Sequence, residues 1–427
     1  MTVFLVLVLL IILMSIGVPV VWSFGAILAI MTLLFDVNPS TLMLQGFRSL
    51  NSVILLSLPL FILTGYLMES GGVAKRLIAF VTRLSSGKTS IGNTVVISSA
   101  IFGAIAGTAT AAVASMGTIL SKPASEQGYD KGYVAALLGM SSLLGILIPP
   151  SITLILFAVV TRQSVAALFA ATLGPAILLI IGLLIYNAVV VTRRFDVKAP
   201  RTGNRAPLGK VTLEAAPALL LPVIILGGIY GGIFTPTEAA AVAAVATLLI
   251  GAVIYREVSF RSFARTLVDA SQTTGSIILI LLFSFMISRV LTAERIPQNI
   301  TEVVSAIATT PIAVILLVNA VLVVAGALMD DLSVTVVIAP LFLPAVTAAG
   351  IDPVQYASIV ACSVVIGANS PPVAPILYMS SHVTEAPVVA AMRASAGLIL
   401  CVGLPVLLVT TFWPGLSLAI PRYFGLM

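Results

Sequence analysis

Apolar stretches long enough to cross a lipid bilayer follow one another along almost the whole chain of 427 residues. Residues 3–21, 176–191 and 312–329 are apolar nearly all round, whereas a helix on the surface of a soluble protein keeps a polar face. Only 8% of the residues are charged, against about 25% in soluble globular proteins. These stretches lack the alternation of apolar and polar residues that marks the strands of an outer-membrane barrel. The sequence therefore predicts an all-α polytopic membrane protein.

The chain begins with an apolar segment that occupies the position of a secretion signal. Residues 1–13 carry no basic n-region, and no small-residue cleavage site precedes a soluble domain. We therefore expect this segment to be the first membrane span.

Positive charge is concentrated in one polar connection, residues 192–213, and this predicts the orientation of the chain. An excess of Lys and Arg holds a loop on the cytoplasmic side, so we expect this loop to be cytoplasmic. The net charge of +6 therefore reflects membrane topology rather than binding of nucleic acid. This loop contains one acidic residue, Asp196, and six basic residues: Arg193, Arg194, Lys198, Arg201, Arg205 and Lys210.

The residues that enzymes and cofactors require are scarce. His382 is the only histidine, so neither a multi-histidine metal centre nor a Ser/His/Asp arrangement can be built around it. Cys362 and Cys401 stand apart in apolar surroundings. Residues 86–89 look like the end of a P-loop, but Thr82 occupies the position of the required glycine. We expect no enzymatic activity, no transition metal, and no nucleotide or redox cofactor.

Two proline pairs divide the chain into related halves. Pro149-Pro150 and Pro371-Pro372 stand 371 − 149 = 222 residues apart, and at the same offset residues 128–130 (Gly-Tyr-Asp) match residues 350–352 (Gly-Ile-Asp). These markers predict an internal duplication over residues 51–191 and 272–412, and they leave open whether the copies run parallel or inverted. Two further matches occur at an offset one residue larger, namely Thr161 with Thr384 and Val165 with Val388.

Each proline pair is expected to break a helix at membrane depth. Proline lacks the amide hydrogen and clashes with the preceding turn, so it ends one helix, and it favours the first position of another. The ending half exposes carbonyl groups that suit Na⁺, and the starting half exposes N–H groups that suit a carboxylate. We place the breaks at residues 145–151 and 367–373, where Asn369 and Ser370 add polar side chains to the second. A simple kink is the alternative.

Two segments place small or charged residues inside an otherwise apolar run. Residues 102–117 are rich in Gly, Ala and Thr, as in a close helix–helix contact or in the tip of a re-entrant hairpin. In the second half Asp330 and Asp331 lie at membrane depth, where a charge costs at least about 2.5 kcal/mol and marks a functional site. Because the two segments correspond in the repeat, we expect re-entrant hairpins at about 92–121 and 312–345.

In order and spacing these motifs resemble the large M subunit of TRAP transporters, the tripartite ATP-independent periplasmic type. The resemblance runs along almost the full length of the chain. It rests on residues 17–19 (GVP), 102–107 (FGAIAG), 145–151 (GILIPPS), 326–330 (GALMD), 340–344 (PLFLP) and 350–353 (GIDP).

This resemblance implies an elevator-type transporter with two internal repeats, expected to be inverted, each with a re-entrant hairpin and a Pro-Pro-broken helix. A transport domain would slide against a scaffold. The resemblance also implies Na⁺ as the coupling ion, and as partners a small four-helix membrane subunit (the Q subunit) and a periplasmic substrate-binding protein. The location would be the bacterial inner membrane.

Residue by residue, the resemblance implies two Na⁺ sites and a substrate site between them. The first Na⁺ site would be formed, largely through carbonyl groups, by Gly103, Ala106, Gly107, Thr108, Gly145, Ile148 and Pro150. The second would be formed by Gly326, Met329, Asp330, Gly367, Asn369 and Pro371. The substrate, a small carboxylate, would contact Thr108, Thr110, Ser151, Asn369 and Ser370.

The expected domain organisation follows from these segments. Residues 255–274 mix basic and acidic residues with Val, Phe and Leu, which predicts an amphipathic arm on the membrane surface or a solvated connection. The predicted units are N-terminal scaffold helices (1–50), a first repeat (51–191), the cytoplasmic loop (192–213), scaffold and arm (214–271), a second repeat (272–412) and a C-terminal tail (413–427).

The predicted function is sodium-coupled secondary uptake of a small organic acid, as the membrane subunit of a binding-protein-dependent system. The nearest alternative is a standalone sodium–dicarboxylate or anion symporter of similar architecture. A channel would need one continuous polar-lined path rather than two closed half-helix sites. A membrane enzyme is disfavoured because His, Asp and Glu are scarce at membrane depth.

Overall fold

The computed structural model describes residues 2–195, 197, 207–371 and 373–427. Within these ranges the chain is helical and contains no strand. Eight helices are long and apolar enough to cross a membrane, and a bent pair of shorter helices gives a ninth span if its parts are counted together. These features confirm the all-α polytopic class for the described part of the chain.

The helices of the first half lead from the N-terminus to the basic connection. In chain order they are α1 (Thr2–Ser15), α2 (Val20–Leu34), α3 (Pro39–Leu50), α4 (Val53–Ser70), α5 (Val73–Leu84), α6 (Ser90–Ala106), α7 (Ala109–Glu126), α8 (Lys131–Leu147), α9 (Ile152–Thr161) and α10 (Val165–Arg194).

The helices of the second half follow that connection. They are α11 (Leu208–Tyr230), α12 (Pro236–Ile254), α13 (Phe260–Ala293), α14 (Ile296–Ile307), α15 (Pro311–Leu328), α16 (Asp331–Ala348), α17 (Pro353–Gly367), α18 (Pro375–Val383), α19 (Val388–Phe412) and α20 (Pro414–Tyr423).

Matching local signals start the helix that leads into each proline break. Gly128 and Gly350 have φ values of +88° and +83°, which glycine adopts without steric cost. Two residues later Asp130 and Asp352 cap α8 and α17, accepting hydrogen bonds from first-turn amides at 2.8 and 2.7 Å. The two Gly-x-Asp markers that indicated a repeat therefore have the same local structure.

A shared apolar core joins the two halves. Phe157 of α9 and Tyr356 of α17 are both fully buried, and their rings meet edge-to-face with centroids 6.0 Å apart. The Tyr356 hydroxyl donates to the Ala339 carbonyl of α16 at 2.9 Å, which satisfies its polar atom inside the core. The half-helix after the first break is thereby fixed against the second half.

The predicted amphipathic arm is not a separate element. α13 runs without a break from Phe260 to Ala293, so the expected boundary between residues 271 and 272 falls inside one helix. The helix contains no proline and a single glycine, Gly275, which costs about 1 kcal/mol and cannot stop a helix of this length. The polar first turns therefore continue directly into a membrane span.

The predicted C-terminal tail is also a packed helix. Pro414 stands at the first position of α20, where its fixed φ favours a helix start. α20 packs against α10, and its Ser417 and Leu418 are buried. The terminal residues therefore contribute to the core of the protein.

The base of the first predicted hairpin lies near the C-terminal end of α10. Asn187 of α10 is fully buried, donates to Asn93 Oδ1 of α6 at 2.9 Å, and accepts from the Tyr133 hydroxyl of α8 at 3.1 Å. These bonds hold the start of α6 and the start of α8 beside the last turns of α10.

The start of α17, the helix that follows the second predicted hairpin, lies toward the other end of α10. Gln355, in the first turn of α17, donates to the Thr410 carbonyl at 3.3 Å, just before α20 begins. In α20, the Leu416 carbonyl oxygen lies against Gly174 of α10. Gly174 and Asn187 are 13 residues apart in one helix, which corresponds to about 20 Å. The starts of α8 and α17, the helices that lead into the two breaks, therefore lie at well-separated levels of α10.

We expect the connection between α10 and α11 to be cytoplasmic. It is shorter than residues 192–213, because α10 extends to Arg194 and α11 begins at Leu208. Of its basic residues, Lys198, Arg201 and Arg205 lie outside the described residues, as does Asp196. A Gly209→Cys variant, whose Cβ would meet no atom of the described residues within 4 Å, should resist an impermeant maleimide in spheroplasts and react in inside-out vesicles.

The matched control for this labelling is Ile233→Cys. Ile233 is 72% exposed in the connection at the opposite end of α11, so it should show the reverse labelling pattern. Both variants are prepared in a background without the two native cysteines, Cys362 and Cys401. Labelling of Gly209→Cys from the outside would contradict the orientation.

Candidate functional site

The first proline pair separates α8 from α9. The peptide between Pro149 and Pro150 is cis, and the two helix axes differ by 43°. Ser151 is fully buried, and its hydroxyl caps α9 by accepting from a first-turn amide at 3.3 Å. The break leaves the last carbonyls of α8 and the first amides of α9 without partners in their own helices.

The tip of the first predicted hairpin lies against this break. α6 and α7 pack against each other and are joined by Gly107 and Thr108. Gly107 has φ +65°, and a Cβ there would lie 2.5 Å from the Pro150 carbonyl oxygen. A Cβ on Gly103 would lie 2.7 Å from the Gly145 Cα, so the two backbones touch. Glycine is required here because any side chain would separate tip and break.

The residues expected at the first Na⁺ site therefore lie mostly in one place. Thr108 lies against Gly145, since a Cβ on Gly145 would be 3.3 Å from the Thr108 carbonyl oxygen. Ile148 follows α8 within the break and has an extended backbone. Ala106 ends α6, and its carbonyl oxygen would be 3.3 Å from a Cβ on Gly65 of α4. The structure thus adds α4 to the surroundings of the hairpin tip.

The second break begins at the predicted residue but ends later. α17 ends at Gly367, and α18 begins at Pro375 rather than at Pro371 or Pro372. A third proline starts this helix because its fixed φ suits the first helical position, and Ala374 before it has φ +40°. The expected helix start after the second proline pair is therefore wrong. Pro372 itself lies outside the described residues.

The second predicted hairpin meets the second break in the same manner. α15 and α16 pack against each other and are joined by Met329 and Asp330. A Cβ on Gly367 would lie 2.5 Å from the Gly326 carbonyl carbon. The same kind of glycine contact between hairpin and break therefore occurs in both halves, at positions that match the sequence repeat within one residue.

Two neighbouring carboxylates at this tip have different partners. Asp330 caps α16 by accepting from the Leu332 and Ser333 amides at 3.1 and 3.2 Å, and from the Ser333 hydroxyl. Asp331 accepts from the Thr153 hydroxyl of α9 at 2.9 Å. Asp330 therefore orders the tip, whereas Asp331 joins the second hairpin to the helix after the first break.

The polar residues of the second break lie against α8. Asn369 is fully buried; its amide nitrogen lies 3.5 Å from Met140 Sδ, and its Oδ1 has no partner among the described residues. Gly139 makes room for that oxygen, since a Cβ there would be 2.7 Å from it. Ser370 donates to the Ile366 carbonyl at 2.8 Å. The unpartnered Asn369 oxygen is an acceptor that a bound cation would satisfy.

The oxygen atoms at the two tips fit a hard cation. Each hairpin and each break presents carbonyls from the end of a helix, and the second tip adds the Asp330 carboxylate. The Asn369 amide oxygen lies instead against Gly139 of α8. Hard cations prefer oxygen ligands of these kinds. The residues present can therefore hold Na⁺ at both tips.

A cavity of about 220 Å³ opens beside the first hairpin tip, between that tip, α4, α13 and α18. α18 contributes Met379 to this cavity. Asn369 and Ser370 of the second break do not line it, because their side chains make the contacts with α8 and α17 described above. Its lining includes the side chains of Tyr66, Glu69, Thr108, Thr110, Thr273 and Met379.

Sequence reasoning did not single out Tyr66, Glu69, Thr153 or Thr273. Glu69 carried a usable signal, because it is a carboxylate at the end of an apolar stretch, like Asp330. The other three bear hydroxyls within membrane helices, where such residues commonly serve helix packing. Nothing in the local sequence distinguishes them from those packing residues.

Comparison with known proteins identifies one family. The family model described as the DctM component of the tripartite ATP-independent periplasmic transporter matches residues 7–416. The C4-dicarboxylate TRAP transporter large permease protein DctM of Pseudomonas aeruginosa is 35% identical over 406 residues, which cover 95% of each chain.

Two further relatives have other substrates in their names. The sialic acid TRAP transporter large permease protein SiaM of Vibrio cholerae is 30% identical, with 89% of each chain covered. The isethionate TRAP transporter permease protein DctMQ of Oleidesulfovibrio alaskensis is 32% identical over 89% of this chain and 59% of that longer protein. All three relatives are transport permeases by name.

A solved structure shares the fold at low sequence identity. The YdaH transporter of Alcanivorax borkumensis superposes with a TM-score of 0.62, with 87% of each chain covered and 12% identical residues. The likeness supports the helical fold described above.

Proposed function

The chain belongs to the family of DctM components of tripartite ATP-independent periplasmic transporters, and on this basis we propose that it carries a small organic acid across the membrane by sodium-coupled secondary uptake. As a member of this family with eight candidate spans, it is a multi-pass protein of the bacterial inner membrane.

One observation carries the proposal of ion coupling. In each half a hairpin tip and a helix break touch backbone to backbone through a pair of glycines, Gly103 with Gly145 and Gly326 with Gly367. Contact this close brings the free carbonyls of two helix ends together, which is the arrangement that binds Na⁺ in transporters with broken helices. The matching contacts support one Na⁺ site at each tip.

The contacts around α10 support inverted repeats. The base of the first hairpin lies near Asn187, whereas α17, which follows the second hairpin, starts toward the level of Gly174. We propose that the hairpins enter the membrane from opposite sides and that their tips approach each other near its middle. The Thr153–Asp331 hydrogen bond, which joins the first break to the second tip, agrees with this arrangement.

The cavity beside Thr108 and Thr110 is the proposed substrate site. It lies between the first hairpin, which would belong to the moving transport domain, and α4 and α13, which would belong to the scaffold. The hydroxyls of Thr108 and Thr110 can donate to a carboxylate, and the start of α7 adds free amides. In an elevator movement the transport domain would carry this site across the membrane against the scaffold.

Two partners complete the proposed system. The family description names a tripartite transporter, and we propose a small four-helix membrane Q subunit and a periplasmic substrate-binding protein as the other components. The alternative is a symporter that works without a binding protein. Uptake measured with and without that protein separates the two.

Transport is expected to require Na⁺ and to proceed without ATP. In proteoliposomes that contain this chain and its small subunit, with binding protein outside, an inward Na⁺ gradient should drive accumulation of the acid. An equal K⁺ gradient is the control and should not drive it, because carbonyl sites select by size and coordination. Equal uptake with K⁺ in the absence of Na⁺ would contradict sodium coupling.

A further inference from the structure

The substrate cavity contains a carboxylate that the proposed function does not use. Glu69, in the last turn of α4, lines the cavity beside the hairpin tip and is exposed there. Its side chain forms no hydrogen bond or ion pair with any residue that the structure describes. This negative charge is therefore available to a ligand in the cavity.

The remaining polar groups of the cavity are neutral hydroxyls. Thr108 and Thr110 have no side-chain hydrogen bond to any described residue, and the Tyr66 and Thr273 hydroxyls share one at 2.8 Å. None of the described residues that line the cavity is Lys, Arg or His. Within this lining a ligand meets one carboxylate and several hydroxyls.

The position of Glu69 relative to the hairpin tip follows from the geometry of α4. Gly65 lies against the tip, since a Cβ on it would be 3.3 Å from the Ala106 carbonyl oxygen. Glu69 is four residues further along the same helix, a rise of about 6 Å. A small acid that places its carboxylate at Thr108 therefore reaches Glu69 with its far end.

This spacing discriminates between classes of acid. The second carboxylate of a dicarboxylate would lie beside Glu69, and like charges placed together disfavour a ligand unless a cation offsets them. An ammonium or hydroxyl group at the same place would instead donate a hydrogen bond to the Glu69 carboxylate, and such charge-assisted bonds are the stronger ones.

We propose that Glu69 determines substrate specificity, and that the substrate is a monocarboxylate with an ammonium or hydroxyl donor at its far end. The carboxylate contacts the Thr108 and Thr110 hydroxyls, and the donor group contacts Glu69. This assignment rests on the proposed function, because it requires the cavity to be the substrate site.

The test compares three acids with the same four-carbon chain that differ only at the far end. Succinate ends in a second carboxylate, γ-aminobutyrate in an ammonium group and γ-hydroxybutyrate in a hydroxyl. Their binding to the purified complex of this chain and its small subunit is measured by calorimetry in Na⁺, without binding protein. We expect γ-aminobutyrate and γ-hydroxybutyrate to bind at least about tenfold more tightly than succinate.

The Glu69→Gln variant should remove this preference. The affinity for γ-aminobutyrate is expected to fall about tenfold, and that for succinate to rise, because the charge is lost and the size is kept. Glu69→Asp keeps the charge and should keep the order of the three ligands. The matched control is Glu126→Gln, an exposed carboxylate at the other end of α7 and outside the cavity, which should change nothing.

The outcomes separate the two proposals. Na⁺-dependent binding in which succinate is the tightest ligand, or equal changes for all three ligands in Glu69→Gln, would overturn the role of Glu69 and leave sodium-coupled acid transport standing. Failure of all three acids to bind in the presence of Na⁺ would likewise overturn the Glu69 assignment, whereas the proposed function itself is contradicted by the absence of Na⁺-driven uptake in the proteoliposomes described above.

Discussion

Replacing Gly367 by alanine is expected to impair Na⁺-driven uptake severely. The new Cβ would lie 2.5 Å from the carbonyl carbon and 2.6 Å from the Cα of Gly326, so the break and the hairpin tip must move apart. Overpacking a close-packed interior costs about 1–3 kcal/mol, and more where backbone rather than a side chain must yield. Because this contact would form the second Na⁺ site, uptake should fall at least about tenfold.

The geometry also predicts an order of severity within each glycine pair. A Cβ on Gly326 would lie 3.3 Å from the Gly367 Cα, so Gly326→Ala is expected to be milder than Gly367→Ala. In the first half a Cβ on Gly103 would lie 2.7 Å from the Gly145 Cα, whereas one on Gly145 would be 3.3 Å from the Thr108 carbonyl oxygen. Gly103→Ala should therefore be more severe than Gly145→Ala.

These four variants are compared by initial uptake rate in proteoliposomes and by unfolding temperature in detergent. The matched control is Gly275→Ala in α13, where a Cβ would meet no atom of the part of the chain that the structure describes within 4 Å. Alanine is favoured over glycine by about 1 kcal/mol within a helix, so the control should be at least as stable as the native protein. Uptake by Gly367→Ala at the level of this control would show that tip and break do not act as one site.

Substituting Asp330 by asparagine should remove Na⁺ coupling while the hairpin stays folded. Asparagine caps helices about as well as aspartate, so the bonds from the Leu332 and Ser333 amides can be kept. The lost property is the charge beside the proposed cation. Removing one partner of a buried ion pair costs about 3–5 kcal/mol, so the Na⁺ concentration for half-maximal uptake should rise about a hundredfold or more.

The control for this substitution is the neighbouring carboxylate. Asp331 accepts from the Thr153 hydroxyl, and an asparagine oxygen can accept the same bond, so Asp331→Asn should impair uptake mildly. Uptake is measured as a function of Na⁺ concentration for both variants. Severe loss in Asp331→Asn with little change in Asp330→Asn would mean that the second carboxylate, and the bond between the two halves, carries the coupling.

Features that depend on neighbouring residues could be predicted from the sequence. The membrane class, the helix stops at the first proline pair and the paired Gly-x-Asp starts at 128–130 and 350–352 all follow from hydropathy, backbone sterics and capping within a few residues. The sequence pattern places the start of α18 too early, at the second proline pair. A third proline, Pro375, lies close to that pair and occupies the first position of the helix instead. The predicted domain boundary between residues 271 and 272 falls inside α13, because polar residues on the surface of a helix do not interrupt its backbone.

The candidate site required tertiary structure. The sequence indicated that Gly103, Gly145, Gly326 and Gly367 belong to hairpins and breaks, but it could not measure how closely they approach. Their contacts are set by how whole helices pack, and packing depends on residues far apart in the chain. For the same reason, the cavity that unites Glu69 with the first hairpin tip could not be predicted from either segment alone.

The sequence by itself determined that this chain is a bundle of membrane helices with a break and a small or acidic segment in each half, because hydropathy, proline and glycine act locally on the backbone. Only the tertiary structure decided which segments meet. Asp331 accepts a hydrogen bond from Thr153 of α9, the helix after the first break. The Asn369 side chain lies against Met140 of α8 rather than against the first hairpin tip. Thr153 and Asp331 are separated by 178 residues in the sequence, and Asn369 and Met140 by 229. These contacts depend on steric fit and hydrogen bonding between residues that are distant in the chain, so the sequence alone could not predict them.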